Sequence, residues 1–235
     1  MVDARINAMI NFVPQGSRVA DIGADHGFLS ISLAEISRAD FVIATDKNAG
    51  PIAAAKKNII AAGLEKKIET RLGDGLQVLK IGEVDTICIG GMGGALICKI
   101  LEDAPEIFST TENLILQPMN AIEKVFALLS EKNFFIADVD LAEVGGIIYE
   151  IIFATKNVDK ISARKKFETS PLLEKYLSSK LKKISHTLAE MSKSPAASSS
   201  EKFFRLQKKL ESLSFFVKRK NFDLTFEKVI DILSN

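Results

Sequence analysis

Asp21, Gly23, Asp25, His26 and Gly27 crowd one short segment, Arg-Val-Ala-Asp-Ile-Gly-Ala-Asp-His-Gly at 18–27. An apolar run (Val19, Ala20, Ile22) enters it and a helix-like apolar run (Phe28, Leu29, Ile31, Leu33) leaves it. The glycines therefore fall on a strand-to-helix turn, where positive φ is needed and a ligand can approach bare backbone. The dinucleotide fingerprint wants glycine two residues after Gly23, and Asp25 stands there instead. Two acids around the turn would repel a pyrophosphate held at a helix N-terminus. They suit a ligand that carries positive charge and hydroxyls.

Further acids follow at telling positions. The run Phe41–Thr45 ends in Asp46, 23 residues after Gly23. A carboxylate roughly 20 residues on, at the end of the second strand, is placed to bond ribose hydroxyls. Lys47 adjoins it and is assigned to the same ligand. Arg-Leu-Gly-Asp-Gly at 71–75 ends a third run and offers Asp74 and Gly75 to an adenine amino group. Ile-Gly-Gly-Met-Gly-Gly at 89–94 ends a fourth. So many glycines imply something flat or bulky lying against the backbone of Gly90 to Gly94. The fifth ends in Leu-Gln-Pro-Met-Asn at 116–120, where Gln117 and Asn120 offer amides to a base or a ribose. S-adenosylmethionine, with its sulfonium and amino group, meets these requirements.

The elements that must hold these residues alternate in kind. Strands are expected at Val19–Ile22, Phe41–Thr45, Ile68–Leu72, Thr86–Ile89, Asn113–Leu116, Phe134–Asp140 and Ile147–Ala154. Helices are expected at Leu29–Ile36, Ala49–Ala62, Ala95–Leu101 and Ile122–Glu131. Strands interleaved with crossover helices make an α/β fold with a mostly parallel sheet covered on both faces. The last two strands are joined through Gly145-Gly146, too short for a crossover, so they form an antiparallel hairpin at one edge.

From Lys156 onward the pattern turns helical. Leu173, Leu177, Leu181, Ile184, Leu188 and Met191 form one stripe; Phe203, Leu206, Leu210, Leu213 and Val217 form another. Ser194–Ser200, with Pro195, reads as a flexible connector, giving two antiparallel helices and a short third segment, Asp223–Leu233. The domains are thus 1–155 and 156–235. The net charge of +1 conceals an asymmetry: 18 Lys and Arg against 9 Asp and Glu after residue 155 give that part +9 and leave −8 on the rest. An acidic body with a basic helical arm points to a polyanionic partner. Lys182, Lys183, Arg205, Lys208 and Lys209 are candidate phosphate contacts. The Phe203-Phe204 and Phe215-Phe216 pairs offer rings for base stacking, while at helical spacing one member of each pair is expected in the core, and His186 is a surface residue.

The composition, 47% apolar and 26% charged, is that of a globular protein. No apolar run reaches membrane-spanning length, and the N-terminus lacks a basic-then-apolar signal pattern. Cys88 and Cys98 lack metal-ligand spacing and read as small buried hydrophobes. These features together favour the cytoplasm; no metal is expected, and a monomer is expected although no sequence feature fixes the oligomeric state.

The series Ala-Asp-Ile-Gly-Ala-Asp-His-Gly, Gly-Asp-Gly, Ile-Gly-Gly-Met-Gly-Gly and Leu-Ile-Leu-Gln-Pro resembles the bacterial tRNA adenine-22 N1-methyltransferases, the TrmK type. It departs from the family pattern at Met119, which separates Pro118 from Asn120. The resemblance implies a Rossmann-like class I methyltransferase sheet followed by an α-helical hairpin. It also implies methyl transfer from S-adenosylmethionine to N1 of an adenine in tRNA. Asp21, Gly23, Asp25, His26, Gly27, Asp46, Lys47, Asp74, Gly75, Gly90 and Gly91 would then hold the cofactor. Asp25, His26, Gly91 and Met92 would lie at the transfer site, with Gln117, Asn120 and the five basic residues on the RNA. A helix N-terminus disfavours a cation, so His26 is cast as a base-positioning group rather than an acid. The competing readings are a methyltransferase of a small molecule or protein, a nicotinamide oxidoreductase, and a catalytically silent RNA-binding protein.

Overall fold

Seven strands form one sheet in the computed structural model, which describes residues 2–160, 166–219 and 225–234. They are β1 (Ser17–Ile22), β2 (Ala39–Asp46), β3 (Ile68–Leu72), β4 (Thr86–Met92), β5 (Asn113–Pro118), β6 (Phe135–Val144) and β7 (Ile147–Thr155). Their spatial order is β3-β2-β1-β4-β5-β7-β6. The first five pair in parallel, while β7 runs antiparallel to both β5 and β6. Near-continuous apolar runs such as Ile87-Cys88-Ile89 and Leu114-Ile115-Leu116 are fully buried, as expected of strands covered on both faces.

The chain order reverses between β1 and β4. Strands β2 and β3 stack outward on one side of β1, and β4 and β5 on the other. At such a switch point the two adjacent turns diverge and leave a crevice at the carboxyl ends of the strands. The register sets Ile22 beside Ile89 and Thr45, Asp46 beside Leu72, and Gly90 beside Gln117. All the chemistry-bearing turns therefore share one rim.

Helices of this unit are α1 (Ala4–Phe12), α2 (Phe28–Glu35), α3 (Ala49–Ala61), α4 (Gly94–Glu102), α5 (Pro105–Thr110) and α6 (Ile122–Glu131). The sequence reading has no counterpart for α1 or α5. In α1 and at its C-cap the apolar residues Ile6, Met9, Ile10 and Val13 do stand at helical spacing and pack in or on the core, a stripe that the sequence reading passed over. The helix is set by its cap: Asp3 Oδ1 accepts from the amides of Arg5 (2.9 Å) and Ile6 (3.1 Å). The β6–β7 hairpin is longer than expected, and Gly145 and Gly146 both take positive φ, as a tight two-residue turn requires.

The residues sort into two compact units, Met1–Arg164 and Lys165–Asn235. Lys156 stays with the first, its Nζ donating to the Ser109 carbonyl at 2.6 Å. In the second unit α7 (Lys166–Thr169) precedes α8 (Leu173–Met191), α9 (Pro195–Ser198), α10 (Glu201–Arg219) and α11 (Phe226–Ser234). Helices α8 and α10 pack on each other through the expected stripes, with Leu173, Leu177, Ile184, Leu188 and Leu213 buried. The connector is not merely flexible. Pro195 opens a one-turn helix capped by Ser194, because proline's fixed φ suits a first helical position. The start expected for the third segment, Asp223, lies outside the described residues.

Candidate active site at the sheet rim

The turn after β1 is held by β2. The amides of Gly23 and Ala24 both donate to the Thr45 carbonyl at 2.8 Å, and Gly27 N donates to Ala24 O at 2.7 Å. Gly23 (φ 73°), Asp25 (φ 51°) and Gly27 (φ 75°) are all left-handed. Glycine meets that demand without strain at 23 and 27, whereas at Asp25 it costs on the order of 1 kcal/mol, strain of the kind stored at functional sites. This conformation leaves the Asp25 and His26 side chains in the open, 69% and 53% exposed, with His26 Nε2 3.8 Å from Asp25 Oδ1. The His26 carbonyl accepts from Asn58 Nδ2 at 2.9 Å, which ties the turn to α3.

Asp21 sits below the turn and is 5% exposed. Burial pushes its carboxyl up to about 6; a hydrogen bond from Ser30 opposes the shift, and the charge of Asp46 adds to it. Asp46, at the end of β2, accepts from the Asn48 amide at 2.9 Å through Oδ1. Asp74 and Gly75 follow β3, with Asp74 exposed and Gly73 N bonded to Asp46 O at 3.0 Å. Lys47 is exposed beside Asp46.

The second glycine cluster has a different physical basis from the one expected. Protein, not ligand, takes most of the space its missing side chains leave. A Cβ on Gly90 would meet Met9 Sδ at 2.9 Å, one on Gly93 the Asn120 Oδ1 at 3.1 Å, and one on Gly94 the carbonyl oxygens of Ala121 and Asn120. Only Gly91, with φ 73°, has nothing within 4 Å. Met92 Cε covers Gly23 across the β1–β4 seam. Gln117 is buried, and both ends of its amide are engaged: Oε1 accepts from Gly91 N at 3.0 Å and Nε2 donates to Pro118 O at 3.1 Å. It holds the glycine loop, so direct reading of a base by a free Gln117 amide does not fit. Asn120 is exposed next to Gly93.

Two adjoining cavities occupy the rim and share Ile22, Gly23, Asp25, Gly90 and Gly91. The larger, about 320 Å³, is lined by Asp46, Lys47, Asn48, Asp74, Gly75, Met92 and the apolar Leu96 and Ile100 among others. That volume is in the range of small-molecule sites. Thr45 also lines it, and its Oγ1 is a buried side-chain polar atom with no partner among the described residues. The smaller, about 180 Å³, has Asp21, His26 and Gln117 on its lining together with Arg5 and Met9 of α1. Arg5 and Met9 are among the lining residues that the sequence reading did not assign to the site, as are Thr45, Asn48, Leu96 and Ile100; Arg5 and Met9 precede the first motif with no glycine or paired acid to mark them.

An acid, a polar amide and an apolar wall in one cavity, joined to an acidic cavity beyond exposed glycine backbone, fit a nucleoside with a charged tail. Among the described residues no three His, Cys, Asp or Glu side chains come together as metal ligands, and no helix is long and apolar enough to cross a membrane. Cys88 is buried and Cys98 half-buried, neither in a disulfide. Lys182, Lys183, Arg205 and Lys208 are exposed in the helical unit, while Lys209 is half-buried. Arg205, Lys208, Lys209 and Ser212 line a shallow cavity with Asp231 and Ile232 of α11.

Fold and rim together define a Rossmann-like methyltransferase. The chain belongs to the methyltransferase domain family, whose model matches residues 2–152. It is 37% identical over 150 residues to the tRNA (adenine(22)-N(1))-methyltransferase of Bacillus subtilis, an alignment covering 64% of this chain and 63% of that protein. The chain thus spans less than two thirds of that relative's length. The crystal structure of the B. subtilis m1A22 tRNA methyltransferase TrmK superposes with a TM-score of 0.74 at 27% identity, over all of this chain and 99% of that one. A Streptococcus pneumoniae protein solved in complex with S-adenosyl-L-methionine superposes with a TM-score of 0.78 at 31% identity, over 92% of this chain and all of that one.

Proposed function

We propose that this protein is an S-adenosylmethionine-dependent tRNA methyltransferase that methylates N1 of adenine 22. The observation that carries the reading is the pair of joined cavities: Asp46 and Asp74 on the nucleoside side, Asp21 and Asp25 on the other, and the bare backbone of Gly23 and Gly91 between them.

The cofactor supplies a methyl group on a sulfonium, an electrophile that leaves a neutral thioether. N1 of adenine carries an in-plane lone pair and needs no base to become nucleophilic. As the N1–carbon bond forms, the carbon–sulfur bond breaks with its electrons going to sulfur, and the positive charge passes to the base. The protein has no proton to move, so its contribution is alignment, worth up to about 7–11 kcal/mol in favourable systems. Asp46 takes the ribose, Asp74 and Gly75 the adenine ring, Asp21 and Asp25 the amino group. Gly90, Gly91 and Met92 wall the transfer site, with His26 and Asn120 beside the incoming base. Methylation of the exocyclic N6 is disfavoured because the turn after β4 has neither the proline nor the aromatic residue which that chemistry uses.

Lys182, Lys183, Arg205, Lys208 and Lys209 bind RNA phosphates, which positions the tRNA without reading its sequence. The shape of the tRNA selects the adenine, and the base is extruded to reach the rim. The first unit, through residue 164, carries the chemistry, the second delivers the RNA, and the enzyme acts as a cytoplasmic monomer. Nucleoside mass spectrometry of unmodified tRNA incubated with protein and S-adenosylmethionine is expected to show 1-methyladenosine. Its absence, or another methylated base, refutes the assignment.

A further inference from the structure

Arg71 is the next-to-last residue of β3, and it lines neither rim cavity. Its guanidinium has five N–H donors, and all five are spent. Glu69, on the same face of the strand, accepts from Nε at 2.8 Å and from Nη2 at 3.0 Å. Glu83 accepts from Nη1 and Nη2, each at 2.7 Å, as a bidentate pair. The last donor, on Nη1, goes to the Val78 carbonyl at 3.0 Å. Arg71 and Glu83 are both half-buried. The hydrogen bond from Arg71 holds the Glu83 carboxyl down at about 2, so the pair stays charged at neutral pH.

Val78 and Glu83 belong to the segment that joins β3 to β4, so Arg71 ties the far side of that segment to the strand it leaves. Glu83 braces it further by accepting from the Lys80 amide at 2.9 Å. The near side is fixed by Gly73 N, which donates to Asp46 O at 3.0 Å. Gly73 also packs against Val78: a Cβ there would stand 2.0 Å from Val78 Cγ1. Between these anchors lie Asp74 and Gly75, on the lining of the larger cavity. The Asp74 side chain accepts no hydrogen bond among the described residues, so the course of the backbone decides where it stands. We infer that Arg71, clamped by Glu83, is a positioning residue that sets the loop on which Asp74 meets the adenine amino group; this rests on the S-adenosyl reading above. Arginine suits the task because a planar fork can hold two carboxylates and a carbonyl at once, whereas lysine is a point charge with three donors.

A clamp for the loop differs from a brace for the whole sheet in what it does to base preference. Full-length wild type, Glu83→Gln, Arg71→Lys and Glu69→Gln are titrated by calorimetry with S-adenosylhomocysteine and with S-inosylhomocysteine, in which oxygen replaces the adenine amino group. Hydrogen exchange of the ligand-free proteins follows the amides of residues 74–79. Glu83→Gln is expected to speed that exchange and to weaken S-adenosylhomocysteine roughly 3- to 10-fold, the size of one ordinary hydrogen bond. S-inosylhomocysteine binding stays as it was, so the preference for adenine shrinks by the same factor. Arg71→Lys does the same. Glu69→Gln, which cuts only the strand side of the network, keeps both the affinity and the preference. An unaltered preference in Glu83→Gln overturns the inference, whatever the loss of stability. An equal fall in preference in Glu69→Gln overturns it as well, since the network is then a general brace. Failure of the wild type to bind S-adenosylhomocysteine overturns the cofactor reading itself, whatever the exchange data show.

Discussion

Ser30 Oγ donates a 2.6 Å hydrogen bond to Asp21 Oδ2 beneath the turn that joins β1 to α2. The bond helps the ionised carboxylate, yet burial outweighs it and holds Asp21 at about 6, against an ordinary value of 3.8. In the native state this group keeps a proton that the unfolded chain has already released. Stability therefore falls as pH rises from about 4 to 6, and above that range the ionised, buried carboxylate costs on the order of 3 kcal/mol.

Asp21→Asn is accordingly expected to raise the unfolding midpoint of the ligand-free protein at pH 7.5, with a gain that shrinks as the pH is lowered toward 4.5. On the proposed cofactor reading the same substitution is expected to weaken S-adenosylhomocysteine, because the ammonium would lose its counter-charge. Urea unfolding at three pH values, paired with calorimetry, tests both halves. A variant less stable than wild type at pH 7.5 contradicts the account.

Gly91 and Gly94 are expected to fail in different ways when changed to alanine. At Gly94 the new methyl runs into backbone, 2.7 Å from Asn120 O and nearer still to Ala121 O. Backbone cannot step aside, so Gly94→Ala loses about 1–3 kcal/mol of stability. At Gly91 there is open space, and only the φ of 73° resists a side chain. Gly91→Ala stays folded at a cost of about 1 kcal/mol but puts a methyl into both rim cavities. Urea melts should separate the two variants, and methyl-transfer assays should find Gly91→Ala folded but impaired.

Gln117→Ala removes the acceptor of the Gly91 amide and a buried amide with it. Stability is expected to drop by about 1–3 kcal/mol, and kcat to fall more than the KM for either substrate rises if the proposed transfer site lies against this loop. Gln117→Glu keeps an acceptor for Gly91 but sets a carboxylate against the Pro118 carbonyl, so it does not restore the wild type. Steady-state kinetics that show only a raised KM for tRNA would assign Gln117 to base reading instead.

Lys208→Ala with Lys209→Ala is expected to weaken tRNA binding across tRNA species alike and to flatten its salt dependence, about one unit of log–log slope per lost phosphate contact. Binding of S-adenosylhomocysteine stays unchanged. Filter binding at several salt concentrations gives the slope. An unaltered slope would take the cavity between α10 and α11 out of the RNA surface.

Strand ends and turns were the most legible parts of the chain, because their signals are local. An apolar run closed by glycine and an acid names a strand and the turn after it without reference to anything distant. Helix α6 has the bounds its periodicity gave, and β3 likewise. Helix α1 was passed over although Ile6, Met9, Ile10 and Val13 carry a helical period, because that stripe is only two turns long and stands before the first glycine motif. Pro195 misled in the opposite sense: it looked like a breaker and opens a helical turn. The glycine cluster at 90–94 was conspicuous, but its cause was not. Whether a missing side chain makes room for a ligand or for Met9 and the Ala121 backbone depends on what packs there.

By itself the sequence determined the alternation that makes a doubly wound sheet, the acids at the ends of its first three strands and the basic character of the helical arm. These follow from side-chain chemistry and from spacing along one stretch of chain. The tertiary structure decided which of these residues meet. With β1 and β4 as neighbours, Gly23 lies under Met92; with β4 beside β5, the Gln117 amide is spent on Gly91; and α1 brings Arg5 to a rim far from it in sequence. Contacts between segments remote in sequence are fixed by strand order and register, which no local pattern encodes.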